Sequence, residues 1–471
     1  MNTIIRLNNY IVLLLGLYFG WLLSFPFYGP VLSSALENQE KIVSLGLLFA
    51  FFHAGSLILG GIFLKDIYLW KKLMLFGLTA TVIINLLLLF NHSFLWFAGM
   101  IIFGISSAAF ILGWSCIYTM VIPSNERIKK MAVVIIISNI IFVIINFASL
   151  ILSAQFLMVL ASIPLLAIFL ILAKIPPSLK LEIKPDVKEE ITLPIPLILI
   201  FCFFVAGLYL NGGFKYNILI SSFEAGLPFF NNYKFIPYVI VLLIIYKFSD
   251  KIQYYLPVYM GVTFLGMSFV SFALLGEEIV GLALTLTLVE ASFAFLDIFV
   301  WVVLGSLAFI YGAPYQLFGF VLGSMVLSIL AGDLIGSQII QVGETHRLFT
   351  AIFAAAAIFL AYTVMPWLNY KINKDFTEMT AAVAEKSSPK EEVDLFEAIQ
   401  NQLLPGYNLT PREKEITKLI LKGLKNKEVA EQLFISDNTL KSHLRNIYPK
   451  FGVTQKRELL SLALNVKKNS D

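Results

Sequence analysis

Charge is scarce in this chain. Of its 471 residues only 14% are Asp, Glu, Lys or Arg, while 59% are hydrophobic and mean hydropathy is +0.84. So little charge excludes an ordinary water-soluble globule. Cysteine is nearly missing too. Cys116 and Cys202 lie far apart in apolar stretches, so neither a thiolate metal motif nor an evident disulfide is expected. The four histidines form no cluster, and there is no Walker loop or dinucleotide fingerprint. No soluble segment is long enough for a phosphoacceptor domain. The expectation is a protein that is not an enzyme and that uses no metal or cofactor.

What the chain has in abundance is hydrocarbon. Apolar runs of roughly 20 residues, the length that crosses a bilayer, recur at 7–27, 43–64, 73–90, 94–117, 131–152, 156–173, 195–212, 235–247, 256–275, 280–305, 315–339 and 348–369. The eighth is short, and Gly212-Gly213 blurs the end of the seventh. The first run lacks a small-residue cleavage site and is followed by more runs, so a retained anchor is expected. Basic residues concentrate in alternate loops. Arg6, Lys65, Lys71, Lys72, Arg127, Lys129 and Lys130 lie on one side, with Lys174 to Lys188, Lys247, Lys251, Lys371 and Lys374. The opposite loops hold only Lys41, Lys215, Lys234 and Arg347. The positive-inside rule then predicts a multi-pass protein of a bacterial cytoplasmic (inner) membrane, with both termini in the cytoplasm.

Polar groups within these runs are costly and mark either packing or a site. Glu290 and Asp297, seven apart in the tenth run, share one helix face, and Asp333 lies in the eleventh. Asn139 and Asn146 share a face of the fifth run, while His53, Asn85 and Gln316 stand alone. Two readings are open for these groups. One is a cation- or proton-sensitive ligand site formed by Glu290, Asp297 and Asp333; the other is interhelical hydrogen bonding with carboxyls held neutral. Gly16/Gly20, Gly319/Gly323 and Gly332/Gly336 have the G-x-x-x-G spacing of close helix contact, read here as internal packing.

The C-terminal stretch is of another kind: short, polar and basic. Thr410-Pro411-Arg412-Glu413 is a capping box with Pro at the first helical position. Ile416, Leu419 and Ile420 give that helix one apolar face, and Gly423 stops it. A second helix starts at Asn426, Phe434-Ile435 turns the chain, and Ser436 caps a third helix: a helix-turn-helix. In the third helix Leu440, Leu444 and Ile447 form the buried stripe. Asn438, Lys441, Ser442 and Arg445 project from the other side, donors and acceptors suited to base edges in a major groove. A solvated charged face is the bland alternative. The coincidence of cap, turn spacing and basic face favours double-stranded DNA as partner.

The segment resembles the DNA-binding domain of the LuxR family, whose pattern runs L-T-x-R-E-x-E, N-K-E-[IV]-A, I-S-x-x-T-[VL]-K-x-H and K-[LF]-G-V. Leu409, Thr410, Arg412, Glu413, Glu415, Asn426 to Ala430, Ile435, Ser436, Thr439 to Lys441, His443, Lys450, Gly452 and Val453 supply it. By that resemblance Lys441, Ser442 and Arg445 face bases, Lys427 and Thr439 touch phosphate, and the helix from Arg457 to Asn465 pairs two copies. Lys425 and Pro449 depart from the pattern, and Pro449 is expected to kink the third helix or end it early. The membrane part resembles the major facilitator architecture: six runs, a charged linker from Lys174 to Thr192, and six more. Gly61, Asp66, Lys71 and Lys72 resemble that superfamily's loop between its second and third spans. Lys65 stands at its Asp position and a later Gly is missing, which points to a sensor more than a pump.

These readings predict an all-α chain of twelve transmembrane helices with a small C-terminal four-helix LuxR-type helix-turn-helix domain. The expected parts are 1–173, a linker 174–194, 195–370, a cytoplasmic piece 371–405 with an acidic helix opened by Ser388-Pro389, and 406–471. The function they imply is a membrane-bound one-component transcription regulator, homodimeric on DNA, that senses a small molecule through its transporter-like part. The alternative is a solute transporter with a regulatory DNA-binding tail.

Overall fold

In a bilayer core no water is present to bond stray backbone amides, so a chain this apolar is driven to satisfy them within helices. The computed structural model describes residues 2–27, 29–36, 39–175, 195–215, 233, 235–276, 278–341, 346–387, 408–421, 424, 426–433, 435–456 and 458–459. Two compact units divide at residue 373.

The first unit is a bundle of helices: α1 (Asn2–Ser24), α2 (Gln39–Phe63), α3 (Trp70–Leu87), α4 (Ser93–Val121), α5 (Arg127–Ala148), α6 (Ala154–Lys174), α7 (Ile195–Phe214), α8 (Phe235–Phe248), α9 (Leu256–Leu275), α10 (Ile279–Tyr311), α11 (Pro314–Ile340) and α12 (His346–Ser387). A six-residue helix, Pro30–Ala35, sits between α1 and α2. Large apolar side chains such as Phe63, Phe90, Ile151 and Leu274 point outward all around the bundle, as lipid-facing residues do. Among the described residues eleven segments are long and apolar enough to cross a membrane, and the chain is a multi-pass membrane protein. The twelfth expected span falls on α8, which is not among the eleven. Its 14 residues rise about 21 Å, short of a hydrocarbon core of about 30 Å.

Within each half, α3 packs on α4, α2 on α4, α1 on α5 and α9 on α10. The halves meet where α2 and α4 touch α11, and where α5 touches α8 and α10. Glycine sets the closest approaches. A Cβ built on Gly332 would lie 2.0 Å from the Leu210 carbonyl oxygen, and one on Gly319 2.5 Å from that of Leu57. So α11 lies backbone to backbone against α7 on one side and α2 on the other. Gly16 and Gly20 likewise face Ile137 and Ile141 of α5. All three G-x-x-x-G pairs contribute at least one glycine to contacts inside the bundle. The loop after α2 docks on the start of α11 through Tyr315 Oη to the Ile67 carbonyl (3.4 Å) and Gln316 Nε2 to the Leu64 carbonyl (3.4 Å). Asp66 accepts the Tyr68 amide at 2.9 Å, so the acid of that loop is a helix cap.

The second unit contains α13 (Pro411–Leu421), α14 (Asn426–Gln432) and α15 (Asp437–Lys450) around a core of Ile416, Ile420, Val429, Leu440, Leu444 and Ile447. Three of the four expected helices are thus described. Leu459 is buried in the same core, but most of Arg457 to Asn465 lies outside the described residues, as does the acidic stretch after Ser388. Pro449 neither kinks nor shortens α15 by more than its last turn; the helix runs through it to Lys450.

Replacing Gly332 by Ala should force α11 from α7 and destabilise the bundle by about 1–3 kcal/mol. Gly266→Ala, where nothing lies within 4 Å of the added carbon, should be neutral or better. Thermal unfolding of the detergent-solubilised protein checks both. Equal melting temperatures for the two variants would contradict the α7–α11 contact.

Candidate ligand cavity and nucleic-acid interface

A cavity of about 290 Å³ lies inside the membrane unit, lined by α1, α2, α4 and α5 from one half and α7, α8, α10 and α11 from the other. The seven-residue spacing of Glu290 and Asp297 brings both carboxylates onto its wall. Asp297 is held by two tyrosines: Tyr209 of α7 donates to Oδ1 at 2.5 Å and Tyr238 of α8 donates to Oδ2 at 2.5 Å. Glu290 pairs with Lys215, its Oε1 2.9 Å from Nζ, and both side chains are largely buried. The ammonium also lies 5.3 Å from the centre of the Phe293 ring. Lys215, read from sequence as an outer-loop cation, is instead a cavity residue at the end of α7. Desolvation explains the move: a buried carboxylate draws in the nearest cation.

The other polar groups divide between site and scaffold. His53 lines the cavity, bonded to Ser107 Oγ at 2.7 Å and stacked on Phe49. Asn139 also lines it, donating to the Ile135 carbonyl of its own helix at 2.8 Å. Asn85 ties α3 to α6 through the Met158 carbonyl (3.1 Å) and Ser162 Oγ (2.5 Å), which is interhelical bonding. Asp333 is buried on α11 beside Gly213 and is not among the cavity-lining residues, so the structure brings Glu290 and Asp297 together without it.

Past Trp301 of the cavity wall, toward the start of α5, the halves are bonded to each other. Arg127, 2% exposed, donates to Ser306 Oγ (2.9 Å) and to the Thr119 carbonyl (3.0 Å), between the rings of Tyr118 and Phe309. Tyr118 Oη donates to the Trp301 carbonyl at 3.2 Å. Arg127 counts from sequence as a loop cation, yet it is a buried cross-half contact. Tyr209 and Tyr238 escape sequence reasoning altogether; a tyrosine within an apolar run is their only signal.

In the second unit the recognition helix is built from its cap. Ser436 Oγ accepts the Thr439 amide at 3.1 Å, and its hydroxyl meets that of Thr439 at 2.8 Å. Leu440, Leu444 and Ile447 turn into the core, leaving Asn438, Lys441, Ser442 and Arg445 exposed together. Ser442 Oγ donates to the Asn438 carbonyl at 3.1 Å, while its lone pairs stay open to solvent. Lys427 lies on α14, with its side chain outside the described residues. Arg412 links α13 to the end of α14 through the Leu433 carbonyl at 2.8 Å.

The capping box at Thr410 closes on a cation. Glu413 Oε2 accepts the Thr410 amide (2.8 Å) and lies 2.7 Å from Lys450 Nζ, which ties the first helix to the end of the third. Lys450 above all, then the Thr410 amide, holds the Glu413 carboxyl below the usual glutamate range. A depressed folded pKa gives stability that is complete above the unfolded value and lost as pH falls through the folded one. Residues 387–471 should therefore lose urea resistance on acidification below about pH 4.3, and Glu413→Gln should flatten that part of the profile. Superimposable pH profiles for the two proteins would contradict the clamp.

Residues 407–463 match the family described as bacterial regulatory proteins, luxR family. The oxygen regulatory protein NreC of Staphylococcus aureus is 48% identical over 63 residues, 13% of this chain and 29% of NreC. An HTH-type transcriptional regulator of Mycobacterium tuberculosis is 38% identical over 56 residues, 12% of this chain and 6% of the relative. The chain thus spans under a third of the length of these curated relatives. Among solved structures, the human organic anion transporter MFSD10 (TETRAN) is similar at a TM-score of 0.58 and 16% identity, covering 76% of this chain and 99% of that one. A bacterial homologue of the iron transporter ferroportin in an outward-facing state gives 0.56 and 13%, covering 78% and 99%. The Major Facilitator Superfamily transporter FucP in the outward conformation gives 0.52 and 12%, covering 75% and 98%. At such identities the likeness is one of fold. Residues 407–463 are a LuxR-family helix-turn-helix DNA-binding domain, fused to a membrane unit with the major facilitator fold.

Proposed function

We propose that the protein is a membrane-bound one-component transcription regulator. A small molecule enters the cavity between the membrane halves, the bundle changes state, and the DNA-binding domain becomes more or less available to a promoter. The observation that carries this reading is one polypeptide holding both a LuxR-type domain and a cavity with buried charges. Such a ligand acts only if it binds one bundle state more tightly than the other. The two halves are joined through Arg127, Tyr118 and Ser306, contacts that such a change of state would have to alter. The reading counts α8 as a twelfth crossing, which with the loop lysines puts both termini in the cytoplasm, beside the chromosome of a bacterium. It includes homodimeric binding to DNA and no enzymatic step.

A solute transporter with a regulatory tail is the second reading, favoured by the fold shared with solved transporters. Solute accumulation in vesicles separates the two, measured with the full chain and with a chain lacking residues 387–471. Ligand-dependent promoter binding without accumulation is the expected result. Accumulation that persists without the tail, together with ligand-independent DNA binding, would favour the transporter.

For the DNA face, Lys441→Ala or Arg445→Ala should cost about 1–3 kcal/mol of specific binding and relax base preference. Lys427→Ala should weaken binding to all sequences alike. Gel-shift titrations of residues 387–471 on specific and random duplexes measure both. Equal losses on the two duplexes for Lys441→Ala and Arg445→Ala would refute base readout.

A further inference from the structure

The cavity is built around a cation that the protein supplies itself. Lys215 Nζ sits 2.9 Å from Glu290 Oε1 and 5.3 Å from the centre of the Phe293 ring, the two contacts an organic ammonium ion seeks. One ammonium does not balance the wall. Among the described lining residues, Glu290 and Asp297 face Lys215 alone, and His53 is engaged by Ser107 and by the Phe49 ring. A tyrosine hydroxyl donates to each oxygen of Asp297, which fixes the carboxyl group on the wall. Acidic side chains thus outnumber basic ones among the described lining residues.

The rest of the wall is apolar, and rings stand among its aliphatic side chains. Phe19 meets Trp301 edge to face at 5.4 Å, and Phe142 meets Phe235 at 4.5 Å. Rings so placed accept another ring and add to the attraction for a positive charge. A space of about 290 Å³ has room for a ring with a short alkyl arm.

We infer that the cavity takes a small monovalent aromatic amine whose ammonium group takes the place of Lys215 on Glu290 and Phe293, with Asp297 as the second counter-charge. This rests on the reading of the cavity as the ligand site. Lys215 directly follows α7, two residues beyond Gly213, where that helix lies against Gly332 of α11. Its displacement would act along α7 on α11, the helix that packs on α2 and α4 of the other half. An anionic ligand of the same shape would meet two carboxylates at close range.

The test uses the full chain in lipid nanodiscs and three near-isosteric probes: 2-phenylethylamine, phenylacetate and 2-phenylethanol, read by calorimetry and by tryptophan fluorescence. The amine should bind saturably, with the acid and the alcohol weaker by roughly tenfold or more. Asp297→Asn should weaken the amine by a similar factor. Lys215→Met should tighten it, because the internal competitor is gone. Phenylacetate binding as tightly as the amine, no saturable amine binding, or weaker amine binding by a monodisperse Lys215→Met protein would each overturn the inference. The wild-type comparison of probes needs no variant and so stands even if a variant misfolds. Amine binding that never alters promoter occupancy would leave this inference standing and sink the regulatory reading. Promoter occupancy that answers another solute would do the reverse.

Discussion

Hydrocarbon will not solvate a charge, and the membrane unit is arranged around that refusal. Glu290 and Asp297 cannot face lipid, so α10 turns them inward, and the groups that answer them are recruited from α7 and α8 of the same half. Lys215 and the two tyrosines are placed by the carboxylates as much as by their own helices. The cavity is the space left where these polar groups meet helices of the opposite half. Its lining is otherwise mostly apolar, aliphatic and aromatic side chains together.

The halves are joined in two ways. Where α11 of one half crosses α2 of the other the contact is glycine against backbone, held by dispersion and shape. Where α5 meets α10 it is Arg127 on Ser306, with Tyr118 on the Trp301 carbonyl. The buried guanidinium has a hydroxyl, a carbonyl and two ring faces as partners, while its Nε finds no hydrogen-bond acceptor.

The DNA-binding unit obeys water instead. Its helices are short, with one apolar stripe each, and they are held by caps: Thr410 with Glu413, and Ser436 with Thr439. Lys450 ties the first cap to the last helix, so the recognition helix is fixed from both ends. Its outer face is thereby free of structural duty, and Lys441 and Arg445 are exposed for a partner.

The two units differ in how much of them could be read in advance. In the tail, caps, stops and a 3.6-residue stripe are local signals, and they foretold the three helices and the sides facing in and out. In the membrane unit, hydropathy alone located α1 to α12, and spacing put Glu290 and Asp297 on one face. Helices apolar all around carry little information about which neighbour each face meets. So the partners of those carboxylates, the burial of Arg127, the distance of Asp333 from the cavity and the inward turn of Lys215 came only with tertiary structure. The physical reason is that local sequence sets what a segment can bury, whereas long-range packing sets against what, and the cost of an unpaired charge is settled at that second step.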